Sequence, residues 1–392
     1  MSKTGNRELI RAINRALILN KIKVEGPISR ADIARETGLS PATATGISAE
    51  LLDQGLIREQ SGESKGGRPP ILLSLEPDGG YVIGVKIMEN AIYFSLIDLE
   101  MNLISSRLVE ITEYSPPSIL SAIANGTQRL LQDNQISKNK LLGVGVGVAG
   151  VIEFSAGILH HSPILGWNEV PFKEMLMNRM KLPVYIDNDV NTLVVAEQVF
   201  GAGEHTRNFV VATIGRGLGL GMVLNGEIYR GVMGAGEFGH ITEDSQGALC
   251  SCGKRGCLET IVSYPGMIRA YNEQVGADAQ ISTPEGLISL IRAGDAVALE
   301  VTRHAGEKLG QHLANLVTIL APELIILSGE GVQLGDAFFE PMQSAYEANL
   351  MPNMSYVPQF MLEDWGDEKW ALGAASLVLN ELYKTPNVKA AE

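Results

Sequence analysis

Apolar positions change their spacing twice along this 392-residue chain. In "NRELIRAINRALILNKIK" Leu9, Ile10, Ile13 and Leu17 recur at helical intervals with Asn20 on the same face, which predicts one amphipathic helix. "ISRADIARETGLS" reads as a second, shorter helix, with Ser29 as N-cap, the apolar pair Ile33/Ala34 inside and Gly38 at C′. Ser40 then caps, and Pro41 opens, a third helix that Gly55 stops. Two helices around a glycine turn make a helix-turn-helix. Ile47, Leu51 and Leu52 are expected to face its core, and Thr43, Thr45 and Ser48 to face outward. "LIREQ" and "PILLSLE" read as strands of a β-wing, with Lys65 and Arg68 at its tip.

From Tyr81 the spacing becomes that of strands. "YVIGVKI", "AIYFSLIDL" and "LISSRLVEIT" form a meander followed by a helical stretch near 117–134. The order repeats with "NFVVATIG", "GLGMVLNG" and "EIYRG", where Asn225-Gly226 makes a tight hairpin turn. "KLLGVGVGVAGVI" and "LPVYIDND" are further strands. Beyond residue 260 the pattern is largely helical apart from the strand "ELIILSG". Two α/β lobes that open alike, with a cleft between them, are the expected body, and ligands favour such clefts.

The net charge of −14 speaks against nucleic acid until it is divided. Residues 1–80 hold 11 of the 31 basic and 10 of the 45 acidic side chains, a balance of +1. DNA contact is therefore expected only there, at Ser40, Pro41, Thr43, Thr45 and Ser48 of the third helix and at Lys65 and Arg68 of the wing. The third helix has no Lys or Arg for bidentate contacts to guanine, so its hydroxyls must reach bases or phosphates. Glycine-flanked Arg68 suits a narrow minor groove. The same pattern would also serve a three-helix interaction module with a solvated polar face. The longest apolar run, "LLGVGVGVAGVI", is too short to span a bilayer, and the charged start shows no secretory signal. A cytoplasmic protein is expected, with no membrane partner.

All three cysteines fall within eight residues, as Cys250, Cys252 and Cys257, with His240 just upstream. Three thiolates and an imidazole can complete a closed, structural zinc sphere. Gly247, Gly253 and Gly256 permit the turns that bring the sulfurs together. Glu237 and Glu259 bracket the cluster. With "IDNDVN", Asp187 to Asn191, they supply carboxylates and amides of the mixed kind that pair with sugar hydroxyls.

These residues resemble the ROK family of bacterial sugar kinases and sugar-responsive repressors. "EFGHI" with "CSCGKRGCLE", "IDNDVN", "GVGVAGVI…GILHHSPILGW" and "IGRGLGLG" carry the likeness, which runs from about residue 7 to 380. It implies an α/β chain: a winged helix-turn-helix over 1–78, then an actin-like two-lobed sugar-kinase fold. The first lobe is expected over 79–190 plus 366–392. The second, over 191–365, is expected to hold the zinc loop and the surface for a homodimer or homotetramer. The resemblance also implies zinc on His240, Cys250, Cys252 and Cys257, and sugar contacts from Asn188, Asp189, Glu237, His240 and Glu259. In the kinases the position of Asp189 is the general base. "SPILGW" is expected near the sugar, with Trp167 either there or in the core.

The kinase reading fails at three places. Where family kinases have D-x-G-G-T, this chain has "KIMEN", with Lys86 for the Asp and Met88 and Glu89 for the glycines. The second phosphate loop, G-T-G in kinases, reads Gly215-Arg216-Gly217. The late "GGG" turn becomes "SGEG", Ser328 to Gly331, with Glu330 intruding. A non-enzymatic repressor that binds operator DNA and a small sugar effector is the expected function. A sugar kinase with residual activity and a sugar-binding interaction module are the alternatives.

Overall fold

The computed structural model describes residues 3–63, 69–353, 356–364 and 366–384. Helix α1 (Lys3–Glu25) leads into β1 (Ile28–Ser29), α2 (Arg30–Thr37), α3 (Pro41–Asp53), β2 (Ile57–Ser61) and β3 (Ile71–Leu75). The three strands pair antiparallel in the order β1-β3-β2. Caps fall where the sequence puts them. The Ser29 side chain accepts from the Asp32 amide, Gly38 turns left-handed at φ 70°, and the Ser40 side chain accepts from the Thr43 amide. Lys65 and Arg68 lie outside the described residues.

The face of α1 needs correcting. Its buried stripe is Ala16, Ile18, Leu19 and Ile22; Leu9, Ile13 and Leu17 are only half-buried, while Ile10 and Asn20 are exposed. Core exists only around the second half of the helix, where β3 and the last helix of the chain reach it, and packing overrides intrinsic spacing.

The body begins with the meander β4 (Tyr81–Ile87), β5 (Ala91–Asp98) and β6 (Leu103–Glu110), then α4 (Pro116–Asp133) and β7 (Leu141–Val148). A small antiparallel sheet follows, of β8 (Val151–Glu153), β9 (Ile158–Ser162) and β10 (Trp167–Val170), and then α5 (Phe172–Met180), β11 (Val184–Asn188) and α6 (Asp189–Phe200). The second meander is β12 (Phe209–Ile214), β13 (Leu218–Leu224) and β14 (Glu227–Ile228). After it come α7 (Glu259–Val262), α8 (Tyr264–Asn272), α9 (Pro284–Ala293), α10 (Ala296–Leu320), β15 (Leu324–Ser328), α11 (Asp336–Asn349), β16 (Gln359–Glu363) and α12 (Asp367–Tyr383).

One five-stranded sheet has the order β11-β7-β4-β5-β6 and the other β14-β13-β12-β15-β16. Each is a meander extended by two parallel strands from its first member, so the repeat covers the whole sheet and not only its opening. Asn225 and Gly226, at φ 57° and 86°, form the expected hairpin turn. "EIYRG" yields only a two-residue strand.

In this repeat α6 and α12 are equivalent, since each follows the last strand of its sheet, and they pack on each other. A Cβ on Gly373 would strike the Thr192 carbonyl. Helix α12 also lies so close to β4 and β7 that Gly84 and Gly145 leave no room for a side chain against Ala371 and Ala374. Its other side joins the winged helix. Ile18, Leu19, Ile22, Leu73, Leu99, Val378, Leu379 and Tyr383 belong to one continuous core.

Candidate functional site

The N-terminal module presents the start of α3. Pro41 and Thr45 are exposed, Thr43 is half-buried, and the Ser40 hydroxyl lies 2.8 Å from that of Thr43. Ser48 does not belong to this face. It is fully buried, beside Ala44, Ile47 and Leu51 on the core stripe, and its hydroxyl has no partner among the described residues. Ala42, Gly46 and Ala49, which the reading of the sequence passed over, are exposed instead. Arg11 meets Glu50 at 2.7 Å and Arg15 donates to Gln54 at 2.8 Å, so two cations of α1 are engaged along α3, over the apolar core the two helices share.

The cysteine loop brings its four donors together. Their ligand atoms all lie within 4.8 Å of one another. His240 Nδ1 is 3.5 Å from Cys250 Sγ, and Cys252 Sγ is 3.6 Å from Cys257 Sγ. Ligands on a tetrahedral ion with metal–sulfur bonds of about 2.3 Å stand about 3.8 Å apart, so this cluster can hold a metal ion. Burial pushes the Cys250 and Cys257 thiols up, the latter to about 12, so metal binding must release protons. Gly256 turns at φ 65°, where a side chain would strike the Asp244 carbonyl. Glu243 ties the loop to α10, meeting Lys308 and His312 at 2.6 Å each.

A cavity of about 60 Å³ opens beside this loop, lined by Gly150, Ile152, Asn188, Arg230, Gly236 and Glu237 among others. Of the five residues expected to hold a sugar, Asn188 and Glu237 line it directly. The Asn188 side chain caps α6 through the Val190 amide at 2.8 Å and donates to Gly150 O at 3.0 Å. Asp189 opens α6; loss of water pushes its carboxyl up, against the pull of Lys86. Burial also pushes Glu237 up, opposed by His240 and reinforced by Glu259 and Asp189, which places three carboxylates in one neighbourhood. Glu237 Oε2 is 3.7 Å from His240 Nε2, so one imidazole faces the cysteines and the cavity's edge, an orienting contact usual around metal sites. Glu259 accepts from the Leu218 amide at 3.1 Å and receives the Cys250 thiol at 3.8 Å, bracing β13 against the loop. Trp167 is core. It is buried, donates to Tyr114 O at 2.6 Å and meets Phe172 edge-on.

Known proteins place this arrangement. The chain matches the ROK family over residues 82–381 and the MarR family over residues 13–64. It belongs to the ROK family. A putative xylose repressor of Caldicellulosiruptor sp. (strain Rt8B.4) is 30% identical to this ROK protein, over 98% of this chain and 99% of its own. The DNA-binding transcriptional dual regulator NagC of Escherichia coli (strain K12) is 27% identical, over 96% and 95%. Among solved structures, a ROK family transcriptional regulator described as a homolog of the E. coli MLC protein superposes with a TM-score of 0.83 at 26% identity, over 96% and 97%. A ROK family glucokinase from Streptomyces griseus, in complex with glucose and AMPPNP, reaches 0.64 at 27%, covering 76% of this chain and 99% of its own.

At the kinase phosphate loops this ROK protein has filled the space with its own charges. Glu89, in the β4–β5 turn, pairs with Arg216, in the β12–β13 turn, across the cleft. The Glu330 carboxylate lies against Gly215, and Tyr264 donates to Glu330 O at 2.9 Å. Lys86 stands over the Trp370 ring, 4.1 Å from its centre.

Proposed function

We propose that this protein is a sugar-responsive transcriptional repressor whose winged helix binds operator DNA and whose cleft binds a small sugar. One observation carries the reading: the winged helix shares a continuous core with the body through α12, the helix that also packs on α6 at the edge of the cavity. A ligand that moves α6 thus has packed side chains between itself and the DNA-binding module, which coupling between distant sites requires. The body on its own would be a sugar-binding protein, and the module on its own a DNA-binding one.

Residues 1–78 form the DNA module in this reading. The lobes follow as 79–190 with 366–392, and 191–365. Asn188, Asp189, Glu237, His240 and Glu259 surround the sugar. Zinc is the metal suited to His240, Cys250, Cys252 and Cys257, because three thiolates and an imidazole match its tetrahedral preference. Its contribution there is structural, holding the loop that carries Glu237 and Glu259. Among the described residues no helix is long and apolar enough to cross a membrane.

Residual sugar kinase activity is disfavoured by Glu89 and Glu330, which set negative charge where a nucleotide's phosphates would need room and cations. The native protein should release no ADP above the blank with any sugar. The reading is tested by titrating the full chain onto DNA from its own upstream region, with and without each member of a sugar panel. D-xylose leads the panel because three relatives are named xylose repressors. One sugar should change operator affinity by about 5–150-fold, the usual range of allosteric coupling. Loss of specific DNA binding, or indifference to every sugar, would rule the repressor out.

A further inference from the structure

We propose that the first lobe carries a second ligand site, separate from the cavity beside the metal loop, that takes a small carboxylate with an apolar body. A cavity of about 440 Å³ lies between α4, α5 and the turn that leads into β7. That volume is in the range of small-molecule sites. Leu131, Leu141 and Met180 give it a buried apolar floor, with Ile136 and Leu182 as half-buried walls. It meets the start of β7, whereas the cavity beside the metal loop meets Gly150 and Val151, just past the end of that strand. The two sites are distinct.

The charged groups say what the occupant carries. In a chain of net charge −14, this lining holds Lys138 and Arg179 and no Asp or Glu. Lys138 Nζ donates to Met180 O at 3.1 Å, which fixes the ammonium beside the end of α5 and leaves it two further protons to give. The Arg179 guanidinium has no hydrogen bond or ion pair among the described residues. An anion between them would be met by charge-assisted donors.

A third group points the same way. Thr127 lines the cavity from α4 and is 4% exposed, yet its hydroxyl has no partner among the described residues. A helical threonine can turn its hydroxyl back to the carbonyl four residues earlier, as Thr318 does to Ala314 O at 3.0 Å. Thr127 does not. An unpaired buried hydroxyl is costly, and an acceptor on a bound molecule removes that cost. A carboxylate supplies both negative charge for the cations and lone pairs for the hydroxyl. An apolar body behind it covers the floor, which an inorganic anion or a bare sugar would leave wet.

Calorimetric titration of the full chain with octanoate and 4-phenylbutyrate, each against its neutral amide, tests this. One of the two carboxylates should bind at one per chain. It should do so about tenfold or more tightly than its amide, in keeping with hydrogen bonds to charged groups. Lys138 and Arg179 are both exposed, so Lys138→Ala/Arg179→Ala should erase that difference with the melting temperature unchanged. Thr127→Val keeps the side chain's shape and should weaken the carboxylate severalfold. Its melting temperature should hold or rise, because the lost hydroxyl had no partner to stabilise. Binding by neither carboxylate, equal affinity for the matching amide, or native carboxylate affinity in both variants would overturn the proposal.

Discussion

Lys23 of α1 holds its ammonium 4.8 Å from the centre of the Tyr383 ring at the end of α12, and burial lowers its pKa. The Tyr383 hydroxyl donates to Leu99 O at 2.9 Å. One aromatic side chain thus joins the DNA-binding module, the last helix and the first sheet. Some ten residues earlier the same helix is pressed against Thr192, four residues from the Asn188 that lines the cavity. Motion at the cavity that displaces α6 must be absorbed by α12 or passed to α1.

Tyr383→Ala should therefore uncouple the two ends. Truncating a buried aromatic ring costs about 3–5 kcal/mol, so the melting temperature should fall. Sugar affinity should hold, because Tyr383 touches no part of the cavity, while the ratio of operator affinities with and without sugar falls toward one. Tyr383→Phe removes only a hydrogen bond, at about 1–2 kcal/mol, and should keep that ratio. A native ratio in the alanine variant would show that the signal travels elsewhere.

Removing the metal should cost the sugar site as well as stability. The loop has little core of its own, and structural zinc contributes roughly 10–16 kcal/mol in apparent terms. Cys250→Ser, or dialysis against a chelator, is expected to lower the melting temperature and weaken sugar binding together, since His240 faces Glu237. Metal content by atomic absorption should fall from one ion per chain in parallel. Unchanged sugar affinity in a metal-free protein would separate the two sites.

The fold was legible because its signals were local. Ser29, Gly38, Ser40 and Gly55 punctuate helices through hydrogen bonds and φ values that need no distant partner, and Asn225-Gly226 does so for a hairpin. The metal loop was legible because all its donors lie within a short stretch of chain. What escaped depended on tertiary contact. Ser48 looks polar enough to meet solvent, yet it follows Ile47 on a helix whose buried face is set by packing with Ile18, Leu19, Ile33 and Leu73 of other elements. Arg230 sits in a stretch that reads as a strand end, and its partners come from two other sheets: Asp187 from β11 of the first five-stranded sheet and Phe154 from just after β8 of the small one. Nothing in the spacing links those positions. The short strands β9, β10 and β16 carry too few residues for alternation to register.

Glu197 on α6 makes a pH prediction. It is fully buried; Oε2 accepts from the Ala202 amide at 3.0 Å, and Oε1 has no partner among the described residues. Burial pushes its carboxyl from 4.5 up to about 7. Between those values the folded chain binds a proton that the unfolded chain has released, so this group's contribution to stability falls as pH rises through that window. The loss is on the order of 3 kcal/mol by pH 8. Glu197→Gln, neutral throughout, should flatten the difference between urea midpoints at pH 5 and pH 8. Identical pH dependence in variant and native chains would refute the shift.

The final prediction concerns the wing and assembly. The cations on α1 that meet α3 are already engaged with Glu50 and Gln54, and α3 has none. Lys65 and Arg68 of the wing are therefore expected to supply charge for the phosphates. Replacing both with Ala should lower operator affinity and reduce the slope of log affinity against log salt by nearly two, if each neutralises one phosphate. One winged helix with a balance of +1 binds weakly alone, so two-fold copies on two half-sites should be needed, with centres about 34–36 Å apart or a multiple of that. Footprinting should reveal a near-palindrome, and sedimentation should find at least two chains on it. A sugar that shifts α12 alters the separation of the two modules and so the match to that spacing. Moving one half-site by half a helical turn should mimic the sugar: affinity drops, and the remaining sugar effect shrinks. If the shifted operator binds as well as the native one and still responds to sugar, spacing is not what the ligand controls.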